Sequence, residues 1–165
     1  MLAIYRPYIT ESPVSFEETV PSIEEFQGRI TDYTKSFPWL VYEIGGQVVG
    51  YAYASAFKTR AAYRWSVEST VYLHESVHGK GIGKKLYLNL FQELKDQGVA
   101  NVLAGITLPN QASIGLHENL GFVPVAHFKN VGFKFGKWWD VGYWQLQLNL
   151  PVIPSELLKP ILHNP

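Results

Sequence analysis

The stretch Val71–Leu94, VYLHESVHGKGIGKKLYLNLFQEL, constrains this chain more than any other. It reads as the end of a strand, a loop, and a glycine-paced start to an amphipathic helix. Gly79, Gly81 and Gly83 alternate with Lys80, Ile82 and Lys84, and Lys85 follows. Glycines lack the Cβ atoms that keep a ligand away from backbone N–H groups. A helix entered from such a loop turns its unbonded N–H groups and positive dipole end toward it. The combination suits a phosphate or pyrophosphate. Two standard phosphate loops do not fit. A P-loop ends in Gly-Lys-Ser/Thr, and here Lys84-Lys85 supplies no hydroxyl. A dinucleotide fingerprint needs Gly-x-Gly-x-x-Gly, and here Tyr87 and Leu88 continue the helix without the third glycine. Taken alone, the segment reads equally as a glycine-rich turn that caps a helix.

The chain of 165 residues is long enough for one domain with a sizeable core. Its 47% hydrophobic content, against 17% charged, excludes a disordered chain. Lysine and arginine balance aspartate and glutamate, so no strongly basic face points to nucleic acid. The absence of cysteine excludes disulfides, thiolate metal sites and a cysteine nucleophile. No apolar run is long enough for a signal peptide or a membrane span. The expected setting is therefore cytoplasmic, with no membrane partner.

In chain order, residues 1–9 read as the last turns of a helix and Thr10–Thr19 as a loop. Ser22 and Glu25 form a capping-box pattern. Ile23, Phe26, Ile30, Tyr33 and Phe37 then recur at helical spacing, with Pro38 as the stop. Trp39–Ile44 and Gln47–Phe57 read as strands joined by Gly45-Gly46. Lys58–Tyr63 is a basic loop and Arg64–Leu73 a strand. The long helix carries Ile82, Leu86, Leu90, Phe91 and Leu94 on one face and stops at Gly98. Asn101–Thr107 is a short apolar strand, parallel to the strand before the helix. A short helix starts at Asn110 or Ser113 and ends near Leu120. Phe122–Phe135 and Trp138–Leu148 form a long, irregular antiparallel pair. Residues 1–150 are expected to be one domain. The tail over 151–165, with four prolines, reads as draped or mobile.

Three motifs coincide on this frame. Gly81-Ile82-Gly83 leads a helix after a strand. Some thirty residues on comes Asn110-x-x-Ser113-x-x-Leu116-x-Glu118-x-x-Gly121-Phe122. The pair resembles the GNAT acetyltransferase superfamily. Lys58-x-Arg60-x-x-Tyr63-x-Trp65, Val67-Glu68-Ser69-Thr70-Val71-Tyr72, Leu116-His117-Glu118 and Asp140-Val141-Gly142-Tyr143-Trp144 resemble its phosphinothricin acetyltransferase subfamily. The resemblance implies an α/β (α+β) fold with a mixed, mostly antiparallel sheet, a V-shaped splay between two central parallel strands, and helices on both faces. It runs from about Tyr8 to Pro151. Two departures stand out. The family's Gln/Arg at the start of the pyrophosphate signature is His78 here. The family begins with a strand and most of a first helix that have no counterpart here: either the start lies upstream of Met1, or the sheet lacks its first strand, which would expose a neighbouring edge.

The reaction implied is acetyl transfer from acetyl-CoA to a primary amine, which arrives as ammonium with a pKa near ~10. A carboxylate must take the proton, and Glu68 matches the family's catalytic glutamate. The plainer reading of Glu68 is a strand glutamate paired with Arg60 or Arg64. The backbone N–H near Val71 is the expected oxyanion donor. His117 occupies the slot where most of the superfamily has a tyrosine. It is expected to protonate the leaving thiolate or to orient the amine; the plainer reading is a histidine packing on the sheet. His74 and His78 lack a third ligand, so no metal is expected. Val71, Tyr72 and Leu73 are expected to pair with the pantetheine arm. Gly79, Lys80, Gly81, Ile82, Gly83 and Lys84 are expected around the pyrophosphate, and Asn110 and Ser113 near the pantetheine, with Asn110 equally an N-cap.

The cations Lys58, Arg60 and Arg64 suit an anionic amino-acid acceptor. Arg60 is expected to take its acidic group, with Tyr63, Phe16 and Val141 lining the pocket. A solvated basic loop is the plainer alternative. A polyamine or peptide N-terminus as acceptor, or a non-catalytic acyl-CoA-binding protein, are the competing functions. The resemblance also implies a homodimer, with Trp138 and Trp144 as interface or core residues.

Overall fold

A computed structural model describes residues 1–150 and 158–159. Apart from those two residues, the tail expected over 151–165 lies outside the described residues. Helix α1 spans Leu2–Thr10 and α2 Ile23–Thr34. The capping box forms as expected. Ser22 N–H donates to Glu25 Oε2 at 2.7 Å, and Glu25 N–H to Ser22 Oγ at 3.1 Å. Helix α2 stops at Thr34, short of Pro38. The N–H groups of Ser36 and Phe37 both turn back to the Tyr33 carbonyl. Phe37 thereby leaves the α2 stripe and joins the core packed under the long helix.

Strands β1 (Trp39–Ile44) and β2 (Gln47–Ala56) are joined by Gly45 and Gly46. Their φ values of 58° and 78° are the left-handed pair that a tight hairpin turn needs. The basic loop contains a 3-10 turn, Ala61–Tyr63, and strand β3 runs Ser66–Leu73. The expected start at Arg64 is corrected by two residues. Arg64 donates both its N–H and its Nε to the Ala61 carbonyl and so closes the turn. Helix α3 spans Ile82–Gln97 and ends at Gly98, whose φ is 98°. Strand β4 (Asn101–Leu108), helix α4 (Gln111–Glu118), and strands β5 (Val123–Lys134) and β6 (Lys137–Gln147) complete the order.

The six strands run β1-β2-β3-β4-β6-β5, and only β3–β4 is parallel. This is the expected mixed, mostly antiparallel sheet. The parallel contact is brief: Ser66, Val67 and Glu68 face Asn101, Val102 and Leu103. Beyond that rung β3 stays on β2 as far as Leu73, and β4 stays on β6 as far as Leu108. The central strands therefore separate, and a wedge opens between them.

Helices cover both faces. On one, Leu86, Leu90 and Leu94 of α3 pack on Ala52, Ala54, Val67, Val102 and Ala104, with Ile114 and Leu116 of α4 beside them. Each fully buried leucine contributes roughly 1.5–3 kcal/mol. On the other face, Ile4, Tyr5, Ile9 and Phe26 surround Tyr51. The aromatic surplus of the sequence gathers here: Trp39 stacks on Tyr53 at 4.1 Å and 6°. The β5–β6 pair is irregular as expected. Its second bulge, between Phe128 and Gly132, is held by Asp140, which accepts from His127 Nε2 at 2.7 Å and Asn130 N–H at 2.8 Å.

Candidate active site

The glycine loop is conformationally demanding and open in front. Gly79 and Gly81 have φ of 72° and 76°, and a β-carbon on either would meet nothing within 4 Å. Their freedom is needed for the backbone path, and the space before them is clear. Gly81 is the N-cap of α3, and among the described residues no side chain bonds the first-turn N–H groups there. Ile82, Gly83 and Lys84 lie in that first turn. A β-carbon on Gly83 would stand 3.3 Å from Leu116 and 3.4 Å from Leu73, so this glycine lets α3, α4 and the end of β3 meet. Lys80 departs from expectation at its backbone, where N–H turns to the Val77 carbonyl at 3.4 Å.

The wedge presents backbone groups on the β3 side. His74 N–H bonds Val49 O on β2 at 2.8 Å, which sets the phase of the ladder. By alternation Tyr72 also faces β2, whereas Leu73 and Val71 direct N–H and C=O into the wedge, and the N–H of Ser69 is taken up by the rung with Leu103. Tyr72 is thus not available to a ligand in the expected way. Its ring packs on Tyr5, Tyr8 and Tyr51. Leu73 is occupied as well: Tyr8 OH donates to its carbonyl at 2.7 Å and accepts from its N–H at 3.4 Å. His78 joins this knot, with Nε2 at 3.2 Å from Leu73 O and 3.1 Å from Tyr8 OH. Its side chain faces the strand end and not the loop. Val71 keeps its place at the wedge.

Glu68 sits on the last parallel rung, opposite Leu103, where the strands part. It is half-buried, and loss of solvent pushes its carboxyl above the usual range. The Tyr143 hydroxyl, donating to Oε1 at 3.3 Å, and the Lys58 charge work in the opposite sense. Arg60 and Arg64 form no ion pair with it among the described residues. Tyr143 was not singled out by sequence reasoning, nor was Gly105, which lies against both groups.

His117 is buried to 3% exposure, with its ring edge-on to Tyr87 at 5.3 Å and Phe122 at 5.0 Å. Its Nδ1–H donates to the Ser113 carbonyl at 2.7 Å, so the neutral ring carries its proton there, and Nε2 is buried and, among the described residues, unpartnered. Burial also lowers its pKa. The neutral ring has no proton on Nε2 for a thiolate, and its burial between Tyr87 and Phe122 is what the packing reading describes. Asn110 is an N-cap, accepting from Ser113 N–H at 3.1 Å.

The expected acceptor residues are dispersed. Lys58, Arg60 and Arg64 line a cavity of about 410 Å³ with Lys35, Ser36 and Gln97. Gln97 ends α3, roughly 24 Å along the helix from the glycine loop. Of the three cations, Lys58 alone bears on the Glu68 charge. Tyr63 packs on Phe57, and Phe16 lies over Gly132 where a β-carbon would overlap its ring. Val141 stands between Thr107 and Phe128 in the ladder, two residues from Tyr143. Among the described residues no group of three or more His, Asp or Glu is placed to hold a metal.

The parallel pair splays from the rung that carries the half-buried Glu68, and the glycine-led helix follows the free end of β3. Residues 1–142 match the acetyltransferase (GNAT) domain, and the chain belongs to that family. Within it the chain is an N-acetyltransferase. It is 40% identical over 158 residues, 96% of this chain and 86% of the other, to the phosphinothricin N-acetyltransferase of Streptomyces viridochromogenes. It is 42% identical over 119 residues to the L-methionine sulfoximine/L-methionine sulfone acetyltransferase of Salmonella typhimurium, covering 72% and 70% of the two chains. Among solved structures it resembles the phosphinothricin acetyltransferase of Sinorhizobium meliloti in complex with acetyl-CoA. The TM-score is 0.87 at 36% identity, covering 96% of this chain and 91% of that one.

Proposed function

We propose that this enzyme acetylates the α-amino group of a small anionic amino acid or analogue, of the phosphinothricin or methionine sulfoximine type, using acetyl-CoA. The observation that carries the reading is the position of Glu68, a desolvated carboxylate on the rung where β3 and β4 part. The residues present fit the cofactor. Open space at Gly79 and Gly81 and the uncapped first turn of α3 suit a pyrophosphate, and the outward backbone of Val71 suits a strand-like arm. Bound there, acetyl-CoA would supply the acetyl group as a thioester. Glu68 takes a proton from the ammonium of the acceptor, directly or through a water. The Val71 N–H, free of β2, is the donor for charge that develops on the carbonyl oxygen. Lys58 attracts the acidic group of the acceptor.

The named relatives that act on phosphinothricin and methionine sulfoximine support the acceptor class. The test is an acceptor panel read by thiol release, run with Glu68→Gln beside the parent. We expect turnover with phosphinothricin and methionine sulfoximine and little with polyamines. Glu68→Gln is expected to lower kcat by about 10²–10⁴-fold and to retain acetyl-CoA binding. Release of thiol only with other amines would refute the acceptor class, and an unchanged kcat would refute the base.

A homodimer is part of the proposal. Phe133, Phe135 and Trp138 at the β5–β6 tip expose more than half their surface. Trp144 does not share that role: it is 7% exposed and donates to Glu118 at 3.2 Å.

A further inference from the structure

Gly105 lies in the interior of β4, and its φ is not positive, so its missing side chain answers to space. It stands opposite Tyr143 in the β4–β6 ladder. A β-carbon on Gly105 would be 3.1 Å from Glu68 Oε1, 3.2 Å from Tyr143 Cζ and 3.4 Å from the Tyr143 hydroxyl. The gap left by this glycine is where the carboxylate and the phenol meet. Across it the Tyr143 O–H donates to Glu68 Oε1 at 3.3 Å. Phe128 stands edge-on to the Tyr143 ring at 6.0 Å and 89°, which fixes the plane of the phenol.

We propose that Tyr143 is a positioning residue for Glu68, holding one carboxylate oxygen so that Oε2 alone faces the acceptor amine, and that Gly105 is the gap that admits the contact. The proposal rests on Glu68 being the base. Among the described residues Oε1 has this one hydrogen bond and Oε2 has none. A flexible glutamate at the mouth of a wedge would otherwise sample several rotamers. The contact also favours the ionised carboxylate, against the desolvation that disfavours it. The groups that bear on this charge are Tyr143 from β6 and Lys58 from the loop after β2. Its strand neighbours, Ser55 on β2 and Leu103 on β4, carry none.

Tyr143→Phe removes the hydroxyl and keeps the ring. Its kcat should fall about tenfold, the size expected for one lost hydrogen bond to a charged group. The KM for acetyl-CoA should stay within about twofold, because only the chemical step is touched. The acid limb of the kcat/KM profile should move to higher pH, since the carboxylate loses a donor. Gly105→Ala, which wedges the two groups apart and keeps the hydroxyl, should move the limb the same way. A ¹³C NMR titration of the Glu68 carboxyl should follow in both variants, independently of turnover. The proposal is overturned if the Tyr143→Phe profile and titration superimpose on those of the parent. It is overturned equally if the alkaline limb moves instead, which would make Tyr143 itself a proton donor. Glu68→Gln in the same series separates the two readings. If it is inactive while Tyr143→Phe is unchanged, the base stands and the positioning role fails; if it keeps full turnover, both fail.

Discussion

At the scale of the residue, Glu68 has a cost that can be measured apart from activity. Its folded-state carboxyl is pushed up by loss of solvent. The folded protein therefore holds that proton more tightly than the unfolded chain does. The group favours folding at low pH, and this contribution is lost as pH rises through the folded-state value. Glutamine has nearly the same shape and cannot ionise. Glu68→Gln should therefore have a higher Tm than the parent near about pH 7, and the difference should close as pH falls below the ordinary carboxylate range near ~4.3. Calorimetry at the two pH values checks this, and a constant difference would show that charge desolvation is not the cause. Glu68 was legible in the sequence because a lone carboxylate stands in the otherwise uncharged run Val67–Leu73. Its partner was not: Tyr143 is 75 positions away and meets Glu68 only through the β4–β6 register. Gly105 carried a signal that could have been used, a glycine inside an apolar strand, which marks a close approach.

Among the elements, the hairpin β5–β6 is tied to α1 by one buried cation. Lys134 Nζ donates to the carbonyls of Ile9 at 2.7 Å, Ser12 at 3.2 Å and Ser15 at 2.5 Å. Ile9 lies in the last turn of α1, where the negative end of the dipole favours an ammonium. The clasp also holds the loop carrying Phe16 against Gly132. Lys134→Met keeps most of the side-chain volume and leaves the three carbonyls short of a donor. It should cost about 2–3 kcal/mol, read as a lower urea midpoint at unchanged m-value. No local pattern announces this clasp, since its partners are backbone oxygens more than a hundred positions away. Helix α3 was legible from end to end, because its apolar spacing and its flanking glycines agree. The end of α2 was not: Phe37 continues the periodicity, and an apolar residue reads the same whichever face of the sheet it joins.

For the whole molecule, the strand β5 is an edge of the sheet and exposes Val123, Val125, Phe128, Val131 and Phe133. Light scattering should give the mass of a dimer at micromolar concentration. Phe133→Lys with Trp138→Lys should shift it toward monomer, since each replaces an exposed ring by a charge without touching the core. A parent that runs as a monomer would refute the association. The wedge between β3 and β4 is an edge of another kind. Among the described residues Val71 offers the unpaired N–H and C=O groups that elsewhere recruit a neighbouring chain into fibrous aggregates. Here the edge starts inside the sheet at the rung with Glu68, and Tyr8 holds Leu73 at its far end. The cofactor arm proposed above would lie along it in place of a strand. The splay gives the protein an unpaired edge that lies inside the sheet instead of at its border.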